Sequence, residues 1–107
     1  VDVAPSGYAM NLCDGILRAR FRESLSQPKL IESGAVLEYT VDLGVTGNVF
    51  RRGHRIRLEV SSSNFPRFDR NLNTGGDMIT ETTMRTAQQT IHHSDEHPSH
   101  MVLPVVS

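Results

Sequence analysis

Residues 53–66 contain the feature that most narrows what this chain can fold into. Apolar and polar side chains alternate from His54 to Ser61, and a period of two places successive side chains on opposite faces of an extended strand. Gly53 begins this segment, and Pro66, which has no backbone N–H, ends it. The pattern predicts a β-strand whose buried face carries His54, Ile56, Leu58 and Val60.

Most of the remaining chain shows the same extended character. Residues 35–43 alternate as regularly as residues 54–61, which predicts a second strand lying antiparallel to the first. We expect three arginines near residue 20 to line one outer strand face, and Pro104 to place the last strand at a sheet edge or bulge. The sequence thus predicts an all-β, antiparallel β-sandwich as a single domain over residues 1–107. Its further strands are predicted at residues 1–3, 8–21, 86–93 and 101–106, with a tight turn at Ala4-Pro5-Ser6-Gly7.

A long polar loop over residues 64–76 carries aromatic and charged side chains in close succession. Aromatic residues and arginine are enriched where proteins dock. We therefore predict a domain interface at Phe65, Arg67, Phe68 and Asp69, the alternative being a loop that packs on itself through local ion pairs.

Charge and hydropathy argue against nucleic acid and membranes as partners of this chain. Eleven basic and twelve acidic residues give a net charge of −1, too balanced to attract nucleic acid. No apolar run approaches the roughly 18 residues of a membrane helix, so no membrane partner is expected.

Cys13 has no second cysteine to pair with, which favours a core position and a reducing, cytoplasmic location. The chain opens on Val1 without an initiator Met or a signal sequence, and we expect it to be a segment of a longer polypeptide.

The sequence offers no reaction of its own. It has no Gly-x-Ser-x-Gly elbow, and the three serines at 61–63 follow a strand rather than a strand-to-helix turn. Gly75-Gly76 lacks the Lys-Ser/Thr of a phosphate-binding loop and predicts a turn. We predict no catalytic residue and no cofactor.

Four of the five histidines cluster near the C-terminus, with two carboxylates among them. A metal ion held between His92 or His93 and His100 is one interpretation, since zinc takes imidazole and carboxylate ligands. The spacing matches no closed zinc motif, however, and adjacent histidines on a strand point to opposite faces. We predict a solvated hairpin and no metal site.

Several segments together resemble the C-terminal domain of the cocaine-esterase-like and X-prolyl dipeptidyl-peptidase family of serine hydrolases. The resemblance covers nearly the whole chain, and its most specific parts are Ser61-Ser62-Ser63-Asn64-Phe65-Pro66 and His97-Pro98-Ser99-His100. The other matching parts are Leu12-Cys13-Asp14-Gly15-Ile16-Leu17-Arg18, Gly47-Asn48-Val49-Phe50, Gly53-His54-Arg55-Ile56, Phe68-Asp69-Arg70-Asn71, Asn73-Thr74-Gly75-Gly76 and Leu103-Pro104-Val105.

The resemblance implies an accessory role. In such proteins an α/β-hydrolase domain with a helical cap carries the Ser-His-Asp triad, and a C-terminal jelly-roll, galactose-binding-domain-like sandwich packs against both. This chain corresponds to the later part of that sandwich, so the expected partners are the hydrolase and cap domains of the same polypeptide, with self-association left open. The expected function is to stabilise those domains and to border the substrate cleft of an ester or X-Pro hydrolase. An independent ligand- or carbohydrate-binding module and a metal enzyme using the C-terminal histidines are the alternatives.

Overall fold

A computed structural model describes residues 1–106, whose contacts group into two units, one over residues 1–59 and one from residue 60 onward. The fold is all-β: the described residues form strands, turns and irregular segments, with a single 3-10 turn. This confirms the predicted fold class. The jelly-roll topology and the extent of a single domain over residues 1–107 stay predictions.

The first unit contains a three-stranded antiparallel sheet. Its strands are β1 (Asp2–Val3), β2 (Ala9–Met10) and β3 (Arg55–Ile56), in the order β2-β1-β3. The N–H of Arg57 also donates to the carbonyl of Val1 at 2.9 Å and extends the β1–β3 pairing by one residue. The register places Asp2 opposite Met10 and Ile56, and Val3 opposite Ala9 and Arg55.

Two glycine turns set the ends of these strands. The predicted turn between β1 and β2 is confirmed: the N–H of Gly7 donates to the carbonyl of Ala4 at 2.9 Å, and Gly7 has a φ of +89°. Before β3, the N–H of His54 donates to the carbonyl of Arg51 at 3.0 Å, and Gly53 has a φ of +85°. Glycine suits both positions because a side chain disfavours positive φ.

The predicted pairing of residues 35–43 with residues 54–61 is wrong. β3 pairs with β1, and residues 35–43 form no β ladder. They pass close to another segment instead, because a Cβ added to Gly15 would overlap the carbonyl oxygen of Asp42. Alternation shows which side chains share a face, but it does not identify the neighbouring strand.

The predicted strand over residues 8–21 also ends early. Residues Ala19–Phe21 form a 3-10 turn, so the arginines around it do not line one strand face. The guanidinium of Arg22 donates to the carbonyls of Ala19 at 2.9 Å and Lys29 at 2.6 Å. These bonds fold the chain back on itself, which the period of two at Leu17, Ala19 and Phe21 did not indicate.

Burial is concentrated on the central strand. Val3 and Asp2 expose only 4% and 6% of their surface. The apolar residues that were predicted to be buried in and after β3 are instead largely exposed. Ile56, Leu58 and Val60 expose 51%, 49% and 61% of their surface. The prediction that these three residues are buried is therefore wrong for the chain as described.

The second unit is held by turns and isolated hydrogen bonds. The N–H of Arg85 donates to the carbonyl of Leu72 at 2.9 Å, and the amide of Asn73 donates to the carbonyl of Arg85 at 3.0 Å. Across residues 60–106 no strand ladder forms, so the strands predicted at 86–93 and 101–106 are not observed. Among residues 1–106 we find no helix with the length and hydropathy that a bilayer crossing requires.

Candidate functional site

A buried carboxylate on the central strand organises the first unit. The Asp2 side chain lies between two partners contributed by the segment that leads into β3. His54 Nδ1 is 2.8 Å from Asp2 Oδ1, and Asn48 Nδ2 donates to Asp2 Oδ2 at 3.1 Å. We call these three residues the aspartate cluster. It ties the start of the chain to residues 48–54 across about fifty positions of sequence.

The cluster keeps Asp2 ionised. Burial raises the pKa of this carboxyl, but the hydrogen bonds from His54 and Asn48 and the charge of His54 lower it by more, and the pKa lies below its usual value. A carboxylate that accepts hydrogen bonds is stabilised in its charged form. The His54 side chain is itself only 21% exposed, so most of the surface of the pair is buried.

The arrangement holds two parts of a nucleophile-activating triad without the third. An Asp–His pair activates a serine or cysteine only when the imidazole also contacts that nucleophile. Asp2 is the side-chain partner of His54 in the part of the chain that the structure describes, and no serine contacts it. An open cavity of about 650 Å³ adjoins the cluster, lined in part by Met10 and Arg51. The geometry supports a structural role for the pair.

The serines at residues 61–63 have a local role. The hydroxyl of Ser61 donates to the carbonyl of Ser63 at 3.0 Å and lies 3.2 Å from the N–H of Ser63. Such short-range bonds stabilise turns. They connect Ser61 to its own loop rather than to an imidazole.

The residues predicted to form a domain interface lie in one ordered loop over residues 64–70, which we call the aromatic loop. The N–H of Phe68 donates to the carbonyl of Asn64 at 3.1 Å and closes one turn. The guanidinium of Arg67 lies 5.3 Å from the ring centre of Phe68, and that of Arg70 lies 4.8 Å from the ring centre of Phe65. Both distances fall within the range of cation–π attraction.

The aromatic loop presents apolar surface to solvent. Phe65 is 57% exposed, Phe68 is half-buried, and Arg67 and Asp69 are exposed. Sequence reasoning found the four residues together but not the pairing of each arginine with a ring. Nothing in the structure tests whether they contact another domain, and that role stays a prediction.

The C-terminal histidines form one contact between rings. His92 contacts His97, with ring centres 5.2 Å apart and an angle of 67° between the ring planes. The metal interpretation considered above, which was not the prediction, paired His92 or His93 with His100. Within the described residues no three or more His, Cys, Asp or Glu side chains are grouped closely enough to hold a metal ion.

The comparisons with known proteins identify the family of this chain. The profile of the family described as "X-Pro dipeptidyl-peptidase C-terminal non-catalytic domain" matches residues 1–102. The chain belongs to this family. It is also 55% identical to cocaine esterase from Rhodococcus sp. (strain MB1 Bresler) over 108 aligned residues, which cover 99% of this chain and 19% of that protein. No solved structure gives a significant match.

These findings confirm the predicted family and its non-catalytic character. The chain spans 19% of the length of the curated relative it matches, so most of that relative lies outside the region of similarity. Sequence reasoning missed the aspartate cluster, although one signal was available. Asp2 stands between two valines at a strand position, where a charged side chain needs partners if it is buried. The alternative of an independent ligand- or carbohydrate-binding module stays a prediction.

Proposed function

We propose that this chain is an accessory β-sandwich domain of a serine hydrolase, in which it stabilises the catalytic and cap domains and borders the substrate cleft. The parent enzyme hydrolyses an ester or an X-Pro peptide bond through an activated serine located outside this chain. Membership of a non-catalytic C-terminal domain family, together with the similarity to a cocaine esterase, supports this proposal.

The observation that carries the docking role is the exposed aromatic loop. Phe65 is 57% exposed in a turn closed by a backbone hydrogen bond, which preorganises it as an anchor because less backbone entropy remains to be lost on contact. Each ring is also accompanied by an arginine that can pair with a carboxylate of the partner domain. Such aromatic and arginine anchors dominate the energetics of many interfaces.

The magnitude of the docking contribution follows from the area available. A phenylalanine side chain buries about 150–250 Å² when fully covered. Covering the exposed part of Phe65 therefore removes roughly 100 Å² from water, which at about 25 cal/mol per Å² stabilises the assembly by about 2–3 kcal/mol.

Substitutions in the full-length polypeptide test the docking role. We expect Phe65→Ala and Phe68→Ala to lower the temperature of thermal inactivation and to reduce hydrolytic activity, because the catalytic and cap domains lose a support. Leu25→Ala is the matched control, since Leu25 is 89% exposed in a serine-rich loop of the first unit. If both phenylalanine variants behaved like the leucine variant, the aromatic loop would not be a docking surface.

We further propose a cytoplasmic location for the parent protein. The support is the cysteine content: Cys13 is the one cysteine and it is half-buried as a free thiol, so this domain gains nothing from an oxidising compartment. Cell fractionation followed by immunodetection tests this, and recovery of the protein in an extracellular or periplasmic fraction would contradict it.

A further inference from the structure

The open cavity beside the aspartate cluster has the size and the lining of a small-molecule site. Its volume is about 650 Å³, and all of its lining residues belong to the first unit. Ligand sites in proteins measure roughly 300–1,000 Å³ and combine apolar walls with a few well-placed polar groups. Here the wall joins the aspartate cluster to the side chains of Met10, Val49 and Arg51. The cavity therefore offers both kinds of surface to one ligand.

The accessible charge at this cavity is cationic. Asp2 is buried, and both of its carboxylate oxygens are hydrogen-bonded, one to His54 and the other to Asn48. Arg51 is exposed, and among residues 1–106 its guanidinium has no carboxylate partner. A guanidinium holds a carboxylate through two parallel hydrogen bonds, which favours arginine wherever that group is recognised. A carboxylate ligand would therefore meet an unpaired cation at the edge of the cavity, while the charge of Asp2 is already compensated.

The fold holds the side chains around the cavity in place. The strand register sets Met10 opposite Asp2, so both lie on the same face of the sheet. Met10 exposes 41% of its surface and Val49 exposes 81%, which leaves apolar area for a ligand to cover. The carbonyl of Arg51 accepts from the N–H of His54 at 3.0 Å and keeps the backbone of Arg51 next to the cluster. Because Nδ1 of His54 is engaged with Asp2, Nε2 is the ring nitrogen left for a hydrogen bond to a ligand.

We propose that this cavity binds a small amphipathic carboxylate, with the carboxylate group on Arg51 and the apolar body against Met10 and Val49. The ligand class follows from the lining. A purely apolar molecule would cover the guanidinium without giving it a partner, which is unfavourable. An inorganic anion would leave the apolar surface in water. The site lies within the first unit and does not rest on the accessory role proposed above, because its lining needs no second domain.

Hydroxyl-radical footprinting of the full-length protein with hexanoate as the probe tests the site. Oxidation of Met10 is measured by peptide mass spectrometry relative to Met84, which is 65% exposed in the second unit and does not line the cavity. We expect this ratio to fall as hexanoate is added. The concentration that gives half of the protection should rise at least about tenfold in Arg51→Gln, which loses a charge-assisted hydrogen-bond pair. Arg52→Gln is the matched control and should change nothing, since Arg52 is exposed and adjacent but does not line the cavity.

A second measurement on the unmodified protein avoids any effect of substitution on folding. Hexanamide has the same apolar chain without the charge, and it should protect Met10 at least about tenfold less effectively than hexanoate. Equal protection by the two compounds, no protection by hexanoate, or the same behaviour of the two arginine variants would overturn the proposal. Protection of Met10 before any probe is added would also overturn it, because another domain of the full-length protein would then fill the cavity.

Discussion

Replacing Gly15 with alanine perturbs a close approach between the backbone segments around residues 15 and 42. An added Cβ would overlap the carbonyl oxygen of Asp42 and would lie 3.0 Å from the Asp42 carbonyl carbon and 3.1 Å from Val41 Cγ1. Because the obstacle is mainly backbone, it cannot rotate away as a flexible side chain would. The segments around residues 15 and 42 must separate, and such overpacking costs about 1–3 kcal/mol.

This cost has a measurable local consequence. A loss of about 1–3 kcal/mol in the free energy of local opening accelerates amide hydrogen exchange by about 5- to 150-fold. Exchange followed by mass spectrometry on the full-length protein reports it separately for peptides covering residues 9–17 and 35–45. We expect acceleration in both peptides, because the contact joins them.

The matched control is Gly47→Ala. No atom lies within 4 Å of a Cβ added at Gly47, and this glycine does not have positive φ. At such a position alanine is neutral or stabilises by about 0.4–1 kcal/mol through the unfolded state. Equal exchange in the Gly15→Ala and Gly47→Ala proteins would refute the proximity of residues 15 and 42.

Two further predictions concern the buried carboxylate of Asp2 and the turn-forming carboxylate of Asp77. The free energy of unfolding should fall as the pH drops below about 3.9, the usual pKa of an aspartate. Because the pKa of Asp2 is lowered in the folded chain, its carboxylate contributes its full stability above that pH. This contribution is lost as the pH falls through the folded-state pKa. Asp2→Asn should abolish this part of the acid dependence. A difference in unfolding free energy between variant and wild type that stayed constant in urea titrations from neutral to acidic pH would contradict this prediction. Asp77 Oδ1 accepts from the N–H groups of Ile79 at 2.8 Å and Thr80 at 2.9 Å. Asp77→Ala should therefore destabilise the turn at residues 77–80 by about 0.5–1.5 kcal/mol in the same titrations, whereas Asp77→Asn, which keeps an acceptor, should cost less. Identical losses would refute this role of the carboxylate.

The sequence predicted those parts of the fold that depend on short-range chemistry. Pro5 and Gly7 predicted the turn between β1 and β2, and Gly53 predicted the start of β3. The turn needs a fixed φ followed by a permissive residue, and both requirements are visible in neighbouring positions. The class of the fold followed from the same local patterns.

Pairing between distant segments could not be predicted in the same way. The choice of β1 as the partner of β3 depends on Asp2 meeting His54 and Asn48, residues that lie 52 and 46 positions away. A single sequence contains no record of such contacts. Similarly, the arginines near residue 20 follow a period of two, but hydrogen bonds from Arg22 to two carbonyls impose a turn there.

The aromatic loop was found from composition alone, because its residues adjoin one another in sequence. The structure adds the stacking of Arg70 on Phe65 and of Arg67 on Phe68, while the interface role of the four predicted residues stays a prediction. The contact between His92 and His97 was not predicted, since a bend within residues 94–97 decides which histidine faces His92.

Hydroxyl-radical footprinting of Phe65 in the full-length polypeptide tests the docking role most directly. Phe65 is 57% exposed in the chain as described, so in an undocked loop it would be modified at roughly half the rate seen after unfolding in urea. Docking against the catalytic or cap domain predicts strong protection of Phe65 in the native protein. Modification at the rate of a half-exposed ring would show that the aromatic loop faces solvent, and it would contradict the proposal that this domain supports the hydrolase through that surface.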